Sequence, residues 1–156
     1  MCGIVFPAEW YPQSGVLVTW PHAGTDWCNM LEEVTTCYVA FSKEILKREK
    51  LLVVVPPSLN VRQYFCDEEQ KNLICAEVES NDSWSRDHGA ISVFIDGRPT
   101  LIDFGFNGWG LKFAANLDNL ITGKLFDKGT FKPETDYQNR LDFILEGGSI
   151  ESDGKG

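Results

Sequence analysis

The segment NDSWSRDHG, residues 81–89, is the densest group of potentially reactive side chains in the sequence. Proteins bind a planar guanidinium with a carboxylate that accepts paired N–H bonds and a π face on which the cation stacks. Asp87 and Trp84 could provide these two groups. Arg86 could steady Asp82 or Asp87. The residues alone also permit, and by themselves favour, a structural loop in which Asp82 pairs with Arg86 and Trp84 fills the core.

Two further groups place a candidate residue beside glycines. Glu146 precedes Gly147 and Gly148, and because neither glycine has a side chain, ligand or backbone can approach closely. Glu146 could then move a proton or anchor a ligand, and the alternative is a glycine bulge with an exposed glutamate. Trp109 lies in the sequence FNGWG, residues 106–110, and could line a pocket or cap a core.

Composition limits the ligand classes. The 156 residues include 23 acidic and 14 basic side chains, giving a formal charge of −9. This field disfavours nucleic acid and anionic membranes, and it weakly favours a cationic ligand. The sequence contains no long apolar run and no secretory leader pattern, which predicts a soluble, cytoplasmic protein. The sequence leaves the oligomeric state open.

Cysteine and histidine usage does not indicate a metal site. The two histidines are too sparse for a zinc site, and no CxxC pair occurs. We expect free thiols, mostly buried, at the five cysteines: Cys2, Cys28, Cys37, Cys66 and Cys75. The start, Met1-Cys2-Gly3-Ile4, resembles that of glutamine amidotransferases, in which Cys2 would become an N-terminal nucleophile. The other glutamine-pocket motifs of that class are absent.

The first half of the chain predicts strands that alternate with helices. Residues 15–20 and the apolar run Leu51–Val55 are typical of strands, the latter buried on both faces. Between them, six apolar residues recur at helical spacing: Leu31, Val34, Tyr38, Phe41, Ile45 and Leu46. Asn29 is the predicted N-cap of this helix, with Glu32 at the capping-box position. A short helix over Ser58–Phe65 and a strand over Leu73–Val78 follow.

The second half predicts more strands. Ala90–Ile95 and Thr100–Phe106 form a predicted hairpin, with its turn at residues 96–99. A helical tract is expected over Leu111–Leu125. Leu141–Leu145 and Ser149–Glu151 then predict a strand pair around the two glycines. This order indicates an α+β fold of repeated modules, each of roughly 60 to 70 residues, rather than one doubly wound sheet.

Four separated blocks together resemble the agmatine deiminase family, relatives of bacterial peptidylarginine deiminases. They are residues 7–27, 81–89, 106–110 and 145–156. The resemblance implies a pentein-like α/β propeller of five ββαβ modules. Residues 1–156 would be an N-terminal portion with about the first two modules, and we expect the sequence to be truncated after the last block. The resemblance implies no metal or organic cofactor and a small cationic guanidine substrate.

The resemblance also assigns roles residue by residue. Asp87 matches the carboxylate that binds the guanidinium, Trp84 an aromatic wall, and Glu146 the acidic member of the catalytic group. Three other matching positions are expected to support the site or line the substrate: Asp82, Trp109 and Trp10. A proline usually follows the RDxG motif, and here it is Ala90. This departure should have a slight effect.

The implied reaction is hydrolysis of agmatine to N-carbamoylputrescine and ammonia through a cysteine-bound thiouronium intermediate. The family's His-x-Asp motif and late cysteine do not occur here, and neither His22 nor His88 lies in such a motif. We therefore expect the chain to be inactive alone. Peptidyl or free arginine remains an alternative substrate, and a non-catalytic cation-binding fragment remains an alternative of another class.

Overall fold

The structure is a computed structural model that describes residues 3–155. The chain divides into two compact units. The continuous unit is Gln13–Ser85, and the discontinuous unit combines Met1–Pro12 with Arg86–Gly156. Across the described residues, no helix combines the length and apolar character needed to cross a membrane.

The described chain contains strands, one long helix and several short helices. The strands are β1 (Ile4–Val5), β2 (Val16–Thr19), β3 (Leu51–Val55), β4 (Leu73–Glu77), β5 (Ile91–Ile95), β6 (Arg98–Gly105) and β7 (Asp136–Ile144). The α-helices are α1 (Leu31–Leu46), α2 (Asp67–Gln70), α3 (Ser85–His88) and α4 (Ile121–Asp127). The elements confirm a mixed α/β fold.

The continuous unit is built on a parallel sheet with the order β2-β3-β4. The predicted strand Leu51–Val55 is confirmed, and its central position explains why its residues are almost entirely buried. The strands predicted before and after it are confirmed as β2 and β4. The buried core of this unit consists of Trp20, Leu46, Leu51, Val53, Val55, Val61, Phe65 and Leu73.

Helix α1 presents its predicted apolar face to this core, with Leu46 buried and Tyr38 and Ile45 packed against it. The predicted cap at Asn29 is wrong. Asn29 lies inside a 3-10 helix, Asp26–Met30, and α1 follows it without a side-chain cap. The preceding turn already orients the chain, so a capping side chain is not needed to begin the helix.

The segment between β3 and β4 also differs from its prediction. The helix expected over Ser58–Phe65 is reduced to a 3-10 turn, Val61–Tyr64. Helix α2 follows and was not predicted. At its start Glu69 Oε2 accepts a hydrogen bond from Cys66 N at 2.9 Å, so a local capping interaction begins this short helix.

The discontinuous unit contains a mixed sheet with the order β1-β5-β6-β7. Strands β5 and β6 form the predicted hairpin, and β7 returns parallel to β6 after α4. The turn is tighter than predicted, since only Asp96 (φ 50°) and Gly97 (φ 81°) separate the strands. Positive φ at both residues suits the twist of a two-residue hairpin.

Two predictions in the discontinuous unit are wrong. The helix expected over Leu111–Leu125 is divided into a left-handed turn at Gly108–Leu111, a 3-10 turn at Asp118–Leu120, and α4. The strand pair expected around the two glycines does not form. Residues 141–144 belong to β7, which pairs with β6, and the chain then turns through a 3-10 helix, Gly147–Ser149.

Candidate functional site

Asp87 and Glu146 lie beside the same glycine in the discontinuous unit. Asp87 is on α3, and Glu146 follows the end of β7. A Cβ atom added to Gly148 would overlap Asp87 Oδ1 and would lie 3.7 Å from Glu146 Oε1. The structure therefore brings together the two carboxylates that the sequence singled out. Their combined negative charge favours a cation at this position.

Gly147 permits an even closer approach of backbone to backbone. A Cβ atom here would overlap the carbonyl oxygen of Arg86 on α3. Ser149 closes the turn, because its N and Oγ both donate to Glu146 O, at 3.0 and 2.6 Å. The prediction that the glycines allow a close approach is confirmed. What approaches Gly147 is α3, and this contact sets the position of Glu146.

Arg86 fastens α3 to two other segments of the discontinuous unit. Its Nη2 donates to Glu9 Oε1 at 3.0 Å and to Ile150 O at 2.8 Å. Arg86 thus steadies α3, which carries Asp87, through Glu9 and Ile150, and its predicted pairing with Asp82 stays a prediction. The Arg86–Glu9 pair is about half exposed, so we assign it a role in geometry rather than a large stabilising energy.

His88 is buried directly after Asp87. Only 3% of its surface is exposed, and its ring lies 6.2 Å from that of Phe106. Burial lowers the pKa of His88 from 6.5 to about 4. The imidazole is therefore neutral near pH 7, and at that pH it does not act as a general acid.

We expect protein stability to fall as the pH is lowered from about 6.5 to about 4. The pKa of His88 is lower in the folded state, so the unfolded chain binds more protons in this window. Below about pH 4 the loss should level off. At about 1.4 kcal/mol per pH unit, the total loss would be about 3 kcal/mol. Urea unfolding across this window measures it.

His88→Gln should remove most of this decrease in stability between about pH 6.5 and about pH 4. The matched control is His22→Gln, which changes the half-buried histidine of the continuous unit. An unchanged slope in His88→Gln would contradict the assignment to His88.

Trp109 lies in a left-handed turn. Gly108, Trp109, Gly110 and Leu111 all have positive φ, at 61°, 54°, 82° and 66°. Such angles cost a non-glycine residue about 1–2 kcal/mol. The half-buried Trp109 ring packs edge-on against Phe106, with centroids 5.0 Å apart. Strained backbone is frequent at functional sites, so the turn is compatible with the supporting or lining role predicted for Trp109.

Asp82 and Trp84 belong to the continuous unit. Asp82 is buried, and its Oδ1 accepts hydrogen bonds from Ser83 N at 2.5 Å and Trp84 N at 3.1 Å. The Trp84 side chain is 52% exposed, and its ring centroid lies 6.3 Å from that of Trp27. The alternative in which Trp84 fills the core is therefore wrong. Asp82 supports the turn that presents an accessible indole.

Trp10 is 76% exposed, in the segment that follows β1. The next residue, Tyr11, packs edge-on against Phe94 at 5.5 Å. Ser152 Oγ donates to Phe6 O at 3.0 Å and so ties this segment to the end of the chain. The structure thus places Trp10 on a fixed surface segment, and its predicted role stays a prediction.

The described cysteines do not form a recognisable reactive centre. Cys28, Cys37 and Cys66 are exposed, so the prediction that most cysteines are buried is wrong for these three. Cys75 is half-buried, and burial raises the pKa of its thiol, which disfavours the reactive thiolate. Cys2 lies outside the described residues. Among residues 3–155, no cluster of three His, Cys, Asp or Glu side chains could hold a metal.

Solved structures that are named deiminases have a similar fold. A Porphyromonas gingivalis protein described as an arginine deiminase is 50% identical, with a TM-score of 0.90 over 98% of this chain and 45% of its own. A cysteine-to-serine variant of C. jejuni agmatine deiminase, solved with substrate bound, is 37% identical, with a TM-score of 0.87 over 99% of this chain and 44% of its own.

The chain belongs to the Porphyromonas-type peptidyl-arginine deiminase family, whose sequence model matches residues 5–156. Among curated relatives, the agmatine deiminase of Pseudomonas putida is 32% identical over 162 residues. That alignment covers 99% of this chain and 42% of the relative, so the chain spans less than half the relative's length. The predicted family is confirmed, whereas the five-module propeller stays a prediction.

Proposed function

We propose that this chain supplies the acidic, guanidinium-binding part of a hydrolase that converts agmatine and water to N-carbamoylputrescine and ammonia. The observation that carries the proposal is the meeting of Asp87 and Glu146 at Gly148. A guanidinium has several N–H donors in one plane, and two carboxylates can accept hydrogen bonds from different edges of that plane. Relatives named agmatine deiminase support the choice of substrate.

In the proposed mechanism, a cysteine thiolate attacks the guanidinium carbon and a histidine protonates the departing ammonia. Water then hydrolyses the thiouronium intermediate and releases the thiol. Asp87 holds the guanidinium and offsets its charge, while Glu146 provides the acidic group beside it. Trp84 is the proposed stacking residue, and Asp82, Trp109 and Trp10 are proposed to support the site or line the substrate.

The attacking thiol and the histidine are proposed to lie outside these 156 residues. Burial raises the pKa of the Cys75 thiol and lowers that of His88 to about 4. Both shifts oppose the roles of a thiolate nucleophile and a protonated acid near neutral pH. Under this proposal the chain binds a guanidine compound and releases no ammonia.

Arginine, free or within a peptide, is the second candidate substrate. The name of the family and that of the Porphyromonas gingivalis relative both refer to arginine. Calorimetric titration with agmatine, arginine and an N-acetylated arginine amide separates the two candidates. Tighter binding of agmatine supports agmatine as the substrate. Tighter binding of arginine or of the blocked arginine supports arginine, free or within a peptide, instead.

Removing one carboxylate should weaken guanidinium binding strongly. We expect Asp87→Asn and Glu146→Gln each to raise the agmatine Kd about 10- to 150-fold, since a hydrogen bond to a charged group contributes about 1.5–3 kcal/mol. Isothermal titration of the chain with agmatine measures the effect, and an ammonia assay on the same samples tests for turnover.

The matched controls are Asp142→Asn and Glu134→Gln, which change exposed carboxylates of the same unit. Both should leave the Kd unchanged. If the controls weaken agmatine binding equally, the effect comes from the net charge of the chain and not from these two carboxylates. An absence of binding by the unmodified chain would contradict the proposal. Ammonia release would contradict the placement of the nucleophile elsewhere.

A further inference from the structure

Ser83 lies next to the exposed indole of Trp84 and has hydrogen bonds at all three of its polar positions. Its N donates to Asp82 Oδ1, and its Oγ accepts from Trp27 Nε1 at 2.7 Å. Its carbonyl oxygen accepts from Tyr38 Oη at 3.3 Å and from Ser85 N at 2.9 Å. Only 5% of Ser83 is exposed. The residue is thus a buried junction in the continuous unit.

The partners of this junction come from separate elements of the continuous unit. Trp27 lies in the 3-10 helix Asp26–Met30, and Tyr38 lies on α1. Ser85 extends the network to the end of β2, because its Oγ accepts from Thr19 N at 2.7 Å. Burial raises the pKa of Tyr38, so its hydroxyl stays protonated and can donate to Ser83 O. The turn is therefore tied to the sheet and to both helices.

Trp27 connects this network to the Trp84 side chain itself. The Ser83 hydroxyl fixes the Trp27 indole through Nε1, and the two indole rings are inclined by 32°. Trp27 thus lies beside the Trp84 ring, with centroids 6.3 Å apart, while about half of Trp84 remains exposed. An exposed side chain normally loses rotamer freedom when it binds a ligand, and a side chain already held in place avoids that cost.

We propose that Ser83 is a positioning residue that acts through Trp27 to hold the exposed indole of Trp84 as a preformed stacking face for a planar cation. The identity of the cation as a guanidinium rests on the proposed function. The fixed orientation of Trp84 is independent of the proposed function, because it follows from contacts within the continuous unit.

The test is ¹⁵N NMR of the tryptophan indole N–H groups in the whole chain, with signals assigned by single Trp→Phe substitutions. In Ser83→Ala, Trp27 Nε1 loses its acceptor. We expect its solvent exchange to rise at least tenfold and the heteronuclear NOE of the Trp84 indole to fall. The Kd for guanidinium chloride should rise about fivefold, as for the loss of one hydrogen bond of about 1 kcal/mol. The core Trp20 signal should not change.

Ser80→Ala is the matched control, because Ser80 is an equally buried serine of the same unit that bonds to a side chain, His22, at 3.1 Å. It should leave the Trp84 signal unchanged. If Ser83→Ala prevents folding, Trp27→Phe is used instead, since it removes the indole N–H and keeps an aromatic ring. The heteronuclear NOE of the Trp84 indole should fall in this variant too.

An unchanged Trp84 NOE in Ser83→Ala, or in Trp27→Phe where that variant is used, would overturn the proposal. Equal loosening of the Trp20 signal would also overturn it, because the effect would then be general destabilisation. If the unmodified chain binds no guanidinium and Trp84 still loosens in Ser83→Ala, the positioning role stands and the proposed function fails.

Discussion

Gly147→Ala is expected to destabilise the discontinuous unit by about 3 kcal/mol or more, a large effect for one added methyl group. The new Cβ atom would overlap Arg86 O on α3. That obstacle is backbone, so it cannot rotate away as a side chain would. Either α3 or the turn Gly147–Ser149 must move. Urea unfolding, monitored by tryptophan fluorescence, measures the loss.

Gly148→Ala is expected to weaken agmatine binding more than it lowers stability. Its added Cβ atom would overlap Asp87 Oδ1, the end of a flexible side chain. The carboxylate can rotate away, so we expect a smaller loss of stability than in Gly147→Ala. The displaced carboxylate should nevertheless weaken agmatine binding at least as much as Asp87→Asn does.

Gly3→Ala is the control for both glycine variants, because a Cβ atom at Gly3 has no neighbour within 4 Å. It should unfold like the unmodified chain. A Gly147→Ala chain of unchanged stability would contradict the close packing of α3 on this turn. Unchanged agmatine affinity in Gly148→Ala would contradict the role of Asp87 in binding.

Strands that are buried in a sheet were among the parts of the fold that could be predicted from sequence. Leu51–Val55 has one possible environment, because five consecutive apolar residues ended by proline need cover on both faces. Asn29 shows the opposite case. A good capping residue predicted the helix start, but the preceding 3-10 helix decided where α1 begins. Local propensity was overridden by the path of the chain.

The site could be predicted as a set of residue types but not as a geometry. Asp87 and Glu146 were identified from their neighbours in sequence, yet their meeting at Gly148 depends on where β7 ends and how its turn packs on α3. The Gly147-Gly148 pair was the available signal. It indicated a close approach without indicating which group approaches. Ser83 gave no signal, since a serine in a polar segment is unremarkable until its buried partners are known.

The tryptophans show how far sequence could separate similar residues. Trp10 and Trp20 lie in the same block, but Trp20 ends the predicted strand over residues 15–20, whereas no element was predicted at Trp10. The structure exposes 76% of Trp10 and only 1% of Trp20. The difference arises because Trp20 directly follows the end of β2, where its N donates to Val54 O at 2.9 Å. This strand-end position directs its ring into the core.

Trp20→Ala is therefore expected to cost about 3–5 kcal/mol of folding stability, in the range for a fully buried aromatic side chain. The indole contacts three other aromatic rings, with centroid distances of 5.6 Å to Tyr38, 6.0 Å to Tyr64 and 6.3 Å to Phe65. Removal leaves a cavity that these rings cannot fill. Trp20→Phe should recover part of the loss, and chemical unfolding measures both variants.

Trp10→Ala is the matched control, and its stability should change by less than about 0.5 kcal/mol because its side chain is largely in solvent. Hydrogen exchange can locate the loss in Trp20→Ala. Protection should fall first in β2, β3 and α1, the elements that surround this core. Since Tyr38 contacts both Trp20 and Ser83, the Trp84 indole should also become more mobile in this variant. A Trp20→Ala chain as stable as Trp10→Ala would contradict the assignment of Trp20 to the core.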